Sequence, residues 1–190
     1  MKYIQTEING LWLIEPMILS DERGYFMESF KKEEFESNIG LVDFIQENES
    51  QSSFGVIRGL HYQKGEFSQA KLVRVIKGEV WDVAVDLRRS SPTFGKYVSM
   101  LLSEKNKRQF FIPRGFAHGF AVLSEDAILI YKVDNKYAPH SETTIMYNDQ
   151  TLKIDWPLSE SQIILSSKDK QGIAFKEAAF FEYSIKTQII

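Results

Sequence analysis

Cysteine is absent from the 190 residues, which excludes disulfides, thiolate metal sites and cysteine nucleophiles. Histidine is scarce: the chain has three, so each one matters for chemistry near neutral pH. No apolar run approaches the ~18–20 residues that a membrane span needs. Lys2, Glu7 and Glu15 break the apolar positions of residues 1–20, which leaves no signal-peptide hydrophobic region. A soluble, cytoplasmic protein is the expectation. A basic surplus is also missing, because 23 Lys and Arg face 26 Asp and Glu for a net charge of −3. That field is too weak for general nucleic-acid or anionic-membrane binding. It still allows a phosphorylated small molecule, which a few local cations can hold. Repeats, low-complexity tracts and Pro/Ser-rich linkers are lacking, so the chain reads as one domain.

What is present is a pattern of short β-strands. A hydrophobic share of 43% is ordinary for a globular chain long enough to bury a full core. Leu72–Ile76, Glu79–Leu87, Tyr97–Leu102, Gln109–Ile112, Phe120–Leu123 and Ala127–Lys132 are rich in Val, Ile, Phe and Tyr. Turn signals at Lys77-Gly78, Ser90-Ser91-Pro92, Lys105-Asn106 and Ser124-Glu125-Asp126 separate them. Two further strands fall between Ile4 and Ile18. Regular spacing of short strands predicts an all-β, jelly-roll barrel. Lys31–Ile39 predicts one helix ending at Gly40, and Ser167–Gly172 and Lys176–Phe181 predict two short ones. The polar run around Gln46, Glu47 and Asn48 reads as a loop. Phe26, Glu28 and Phe30 alternate on one face, either as an exposed edge strand or as a strand facing a ligand.

Arg58-Gly59-Leu60-His61-Tyr62-Gln63 is the segment with the most chemistry in it. A neutral imidazole can take a proton, while Arg58 and nearby Lys71 can hold phosphate or a developing oxyanion. Strict alternation puts Arg58 and His61 on opposite faces, so they share a cavity only if Gly59 forms a bulge. A lone strand histidine is more often structural, but the polar neighbours and Lys71 favour a site. Pro113-Arg114-Gly115-Phe116-Ala117-His118 resembles the second motif of cupin barrels, in which a Pro-Gly turn aims a histidine into the barrel mouth. Where metal-binding cupins have an H-x-H pair, this chain reads His61-Tyr62-Gln63. Two histidines without a carboxylate partner make a poor metal site, so no metal is expected. Tyr131, on the parity of Ala127 and Leu129, is either packing or an acid. Tyr137 can stack on a base. Asp169 is either a helix N-cap or the group that fixes the His61 tautomer.

Taken together these segments resemble the dTDP-4-dehydrorhamnose 3,5-epimerase family over about residues 3–183. The matching pieces include Asp21-Glu22-Arg23-Gly24 with Phe26 and Glu28, Gln46-Glu47-Asn48, and Arg58-Gly59-Leu60-His61-Tyr62-Gln63 with Lys71. Gly78 to Arg88, Ile112 to Phe120, Tyr131-Lys132, Tyr137, Glu142, Asp155-Trp156-Pro157 and Ser167-Lys168-Asp169 continue the match. The resemblance implies a single cupin-like epimerase domain over residues 1–183, with no cofactor and no metal. It implies His61 as base, Asp169 as its orienting partner, Tyr131 as acid and Lys71 near the C4 oxygen of a dTDP-linked 4-keto-6-deoxyhexose. Arg23, Phe26, Glu28, Gln46, Asn48, Arg58, His118, Glu142 and Lys168 would line the nucleotide or sugar, and Tyr137 would stack on thymine. A homodimer whose chains share each nucleotide site is also implied. Relatives that invert one carbon alone, and a non-catalytic sugar-binding cupin, are the competing readings. Residues 184–190 carry no functional reading.

Overall fold

A computed structural model describes residues 1–183; the tail from Ser184 to Ile190 lies outside the described residues. In chain order the first strands are β1 (Lys2–Gln5), β2 (Trp12–Glu15), β3 (Ile18–Asp21), β4 (Gly24–Met27) and β5 (Gln46–Ser53). Next come β6 (Ile57–Gln63), β7 (Lys71–Lys77), β8 (Glu79–Asp86), β9 (Arg88–Arg89) and β10 (Tyr97–Ser103). The remainder are β11 (Gln109–Ile112), β12 (Phe116–Val122), β13 (Asp126–Val133), β14 (Glu142–Thr144) and β15 (Phe181–Glu182). Among the described residues one α-helix, α1 (Lys32–Asn38), follows the fourth strand and stops where Gly40 takes a positive φ of 124°.

Two antiparallel sheets carry the fold. Six strands pair in the order β1-β2-β11-β7-β13-β5, and five in the order β10-β8-β12-β6-β14. Alternation sends Val73, Val75, Phe110, Ile112 and Leu129 from the first sheet against Val80, Ala84, Val98, Leu102, Phe116 and Phe120 from the second. That shared inner layer is the jelly-roll core, as the strand spacing predicts. Both outer faces are covered too. Phe35 of α1 packs edge-on against Phe111 at 5.2 Å, closing one side. On the other side Ile145, Leu152 and Phe175 cover Leu60, Tyr62, Val83, Val85 and Ala117. Burying a side chain the size of Phe35 contributes about 2–3 kcal/mol.

Several sequence expectations need correction. The Gln46–Ser53 run is an edge strand, not a loop, because β13 supplies its backbone partners along its whole length. The strand expected at Phe120–Leu123 begins at Phe116. Every residue of β12 is buried, so it shows no period-two pattern to read. The two C-terminal helices are single 3-10 turns, Asp169–Gln171 and Phe175–Glu177, and Phe181 belongs to β15. Phe26 lies on neither main sheet: β3 and β4 form a separate two-stranded ribbon, and its ring is 67% exposed.

Candidate active site

A register slip on β6 builds the site. His61 pairs with His118 of β12, yet Arg58 pairs with Phe120, so three residues on β6 span two on β12. The extra residue is a β-bulge, and it turns Arg58 and His61 to the same face. Gly59 makes this possible. Its φ is 126°, and a Cβ there would lie 2.5 Å from the Gly119 Cα. Because His118 shares the inward parity of Phe116 and Phe120, its neighbour His61 also points between the sheets. The bulge that Gly59 permits, left open by the sequence, is present.

Asp169 reaches His61. Its Oδ1 lies 2.6 Å from the His61 Nε2, while its Oδ2 accepts the Ser166 hydroxyl at 2.6 Å. The Gly59 N–H donates to Oδ1 at 3.4 Å, tying the bulge to the same carboxylate. Burial opposes ionisation of Asp169, but the bonds from His61 and Ser166 outweigh it and hold the carboxyl below its ordinary range. With Nε2–H donated to a carboxylate, Nδ1 is the free basic nitrogen of His61.

The opposite wall comes from the six-stranded sheet. Tyr131 of β13 packs against the inner core, on the parity of Ala127 and Leu129, and pairs in register with Asn48. Burial, then the charge of Glu142, pushes its phenol above the usual tyrosine range, so it stays protonated near neutrality. Lys71 begins β7 on the inward parity of Val73, its ammonium 6.0 Å from the Tyr131 ring centroid. Burial pulls the Lys71 ammonium down to about 8. His61 and Tyr131 thus stand on facing sheets, with Lys71 beside the tyrosine.

The rim gathers most other expected residues. Arg58 Nε donates to Ser52 Oγ at 2.9 Å, holding the guanidinium along β5. Gln46 donates to Asn48 Oδ1 at 2.7 Å on the same strand. Glu142 pairs with Lys168 and accepts the Tyr137 hydroxyl at 2.7 Å, which fixes a half-exposed ring at the pocket mouth. Those bonds hold Glu142 below its usual range although burial works against them. His118 is buried beneath, its Nε2 2.8 Å from Asp82 Oδ1. Three expected residues stand apart: Arg23 pairs with Asp21 inside its own turn, and Phe26 and Glu28 lie on or just after the exposed β3–β4 ribbon.

Sequence reasoning passed over Asp82, Ser166 and Gln63. Gln63 donates to the carbonyls of Phe67 and Lys136 and accepts the Ala138 N–H at 2.6 Å, so it shapes the loop that carries Tyr137. Asp82 had a usable signal: it is a carboxylate on the apolar parity of Val80 and Ala84. Among the described residues no group of three His, Asp or Glu side chains converges as a metal site would require. No helix among them is long and apolar enough to cross a membrane.

Chemically, the pocket can remove a proton from one face of a carbon acid next to a carbonyl, hold charge on the carbonyl oxygen, and return a proton from the other face. Fold and site together define a cupin-like jelly-roll enzyme of the general acid–base kind. The family model for dTDP-4-dehydrorhamnose 3,5-epimerase matches residues 5–177. A Pseudomonas aeruginosa dTDP-4-dehydrorhamnose 3,5-epimerase is 52% identical over 182 residues, covering 95% of this chain and 99% of that protein. The crystal structure of the Elizabethkingia anophelis enzyme of the same name superposes with a TM-score of 0.90 at 53% identity, covering 93% of this chain and 97% of that one. A Legionella pneumophila dTDP-6-deoxy-D-glucose-3,5-epimerase in complex with dTDP-4-keto-L-rhamnose gives 0.92 at 49% identity, covering 96% and 98%. The chain belongs to the dTDP-4-dehydrorhamnose 3,5-epimerase family and is an isomerase.

Proposed function

We propose that this chain converts dTDP-4-dehydro-6-deoxy-D-glucose to dTDP-4-dehydro-L-rhamnose by inverting C3 and C5 in turn, with the residues of the barrel mouth in stated roles. The observation that carries these roles is the His61–Asp169 pair on one sheet facing Tyr131 on the other, with Lys71 beside the tyrosine. The C4 ketone acidifies the hydrogens on both neighbouring carbons, because loss of either gives an enolate spread onto the C4 oxygen. Nδ1 of His61 takes the proton and Asp169 stabilises the imidazolium that forms. The Lys71 ammonium stabilises the enolate oxygen. The Tyr131 hydroxyl then delivers a proton to the opposite face, and the carbon emerges inverted. Solvent then takes the proton from the His61 imidazolium and returns one to the Tyr131 phenolate, and the same three groups serve the second carbon once the sugar ring is re-presented.

Arg58, His118, Gln46, Asn48, Glu142 and Lys168 contact the nucleotide and sugar, and the Tyr137 ring stacks on thymine. Arg23, Phe26 and Glu28 complete the nucleotide site across a homodimer interface. The exposure of Phe26 on a ribbon that, among the described residues, pairs only with itself supports that placement. The test is His61→Ala. Turnover is expected to disappear while dTDP binding, followed calorimetrically, stays within a few-fold of wild type. Retained turnover would refute the role of His61.

A further inference from the structure

Resting on the epimerase reading of the pocket, we infer that Ser166 is a positioning residue of this site: its hydroxyl clasps Asp169 and fixes the carboxylate against His61. Among the described residues, backbone bonds tie the segment that carries both to the sheet only at its ends. The Ile164 N–H donates to the Gly55 carbonyl at 2.9 Å, and the Ile164 carbonyl accepts the Ile57 N–H at 3.0 Å, at the start of β6. The Ile173 N–H donates to the Thr144 carbonyl at 2.9 Å, and its carbonyl accepts the Met146 N–H at 3.0 Å, beside β14. Between those clips, side-chain bonds decide where the Asp169 carboxylate points.

Ser166 makes two bonds to this one residue. Its hydroxyl donates to Asp169 Oδ2 at 2.6 Å, and its Oγ accepts the Asp169 N–H at 3.1 Å. A serine that merely caps a turn needs only to accept. The second bond closes a ring through the Asp169 side chain and restricts its rotation. On the other oxygen, His61 Nε2 stands at 2.6 Å and the Gly59 nitrogen further off, at 3.4 Å. His61 is the short contact on that side, and it is the group whose charge changes during the reaction. A carboxylate held by His61 alone would follow the ring. Ser166 supplies an anchor that does not titrate.

The burial of the carboxylate makes the anchor necessary. The Asp169 side chain is 4% exposed, and Oδ2 has no other donor among the described residues. Burial resists ionisation of Asp169, yet the bonds from His61 and Ser166 keep the carboxyl below its ordinary range. A buried, ionised oxygen without a donor is costly, so loss of the hydroxyl favours rotation of the carboxylate away from His61.

The experiment is kcat for deuterium exchange into dTDP-4-dehydro-6-deoxy-D-glucose in Ser166→Ala and Ser166→Thr. Ser166→Ala is also combined with Asp169→Asn, and dTDP affinity and thermal melts are followed alongside. Ser166 is itself exposed, so neither change disturbs the core and the threonine methyl has room. Ser166→Ala is expected to lose about ten-fold or more in kcat, with dTDP affinity within a few-fold of wild type. Ser166→Thr keeps a hydroxyl and should stay within about three-fold of wild type. A carboxylate is unchanged by a half-turn, whereas an amide so turned would offer its N–H to His61. Loss of Ser166 should therefore cost about five-fold or more further in the Asp169→Asn background than in wild type. A serine that only caps the turn would cost the same factor in both backgrounds. Equal losses, an unaffected Ser166→Ala, or a Ser166→Thr as slow as the alanine variant overturns the inference alone. So does a parallel fall in dTDP affinity, which would place the defect in Lys168 of the same turn. A wild type that exchanges neither proton overturns the pocket reading and this inference with it. If Ser166→Ala does not fold, the near-isosteric Ser166→Cys, a much weaker donor, carries the same comparison.

Discussion

Replacing Asp169 by Asn tests the base most sharply, because it removes charge and leaves shape. The Oδ1···Nε2 contact of 2.6 Å is a hydrogen bond to an ionised acceptor, and such bonds contribute about 1.5–3 kcal/mol. The bond strengthens as His61 becomes an imidazolium, so its loss falls mainly on the transition state. At about 1.4 kcal/mol per decade, the rate should drop about 10- to 150-fold. A larger loss, up to about 10⁴-fold, arises in Ser-His-Asp triads when the amide flips and imposes the wrong histidine tautomer. The structure argues against that flip here. The Gly59 N–H donates to the oxygen that faces His61, and the Ser166 hydroxyl can accept from an amide on the other side. The assay is the initial rate of deuterium entry at C3 and C5, followed by proton NMR, with dTDP affinity measured in parallel. The reasoning fails if the folded variant exchanges within about three-fold of wild type, a difference under 1 kcal/mol.

Tyr131→Phe should impair inversion more than proton abstraction, so deuterium exchange persists while product formation falls about 10²-fold or more; equal loss of both would count against a pure acid role. Lys71 predicts an alkaline limit: its ammonium is charged below about 8 and neutral above, so kcat/KM should fall as pH rises through that value. Lys71→Met should lose about 10²- to 10³-fold and abolish that limb, and a limb surviving unchanged in the variant would assign it to another group. Gly59→Ala forces a side chain to 2.5 Å from the Gly119 Cα at a φ of 126°. A loss of about 2–4 kcal/mol in unfolding free energy is expected, with activity lost as His61 shifts. A normal melting profile would refute the need for glycine in the bulge.

The strands that were easiest to read from sequence were those with one wet and one dry neighbour, or with a turn signal at each end. The failures share one feature, the absence of alternation. In β12 both faces are buried, so alternation vanishes and the strand start hid inside the Pro113–Gly115 turn. β5 failed for the opposite reason. As an edge strand beside an open pocket it is polar on both faces, and only the β13 register shows that it is a strand. His61, Lys71 and Asp169 could be named from residue type and the family resemblance, but their meeting depends on long-range contacts. Asp169 arrives from 108 residues away along the chain. The shared face of Arg58 and His61 depends on a one-residue slip that alternation alone denies and Gly59 only permits.

The most direct measurement is proton NMR of dTDP-4-dehydro-6-deoxy-D-glucose with the enzyme in deuterated water, resolving C3 from C5. The account predicts that deuterium enters both positions, that the rhamnose-configured ketone accumulates, and that neither occurs with His61→Ala. Exchange confined to one carbon would contradict double inversion, and no exchange at either would contradict the acid–base assignment of the pocket.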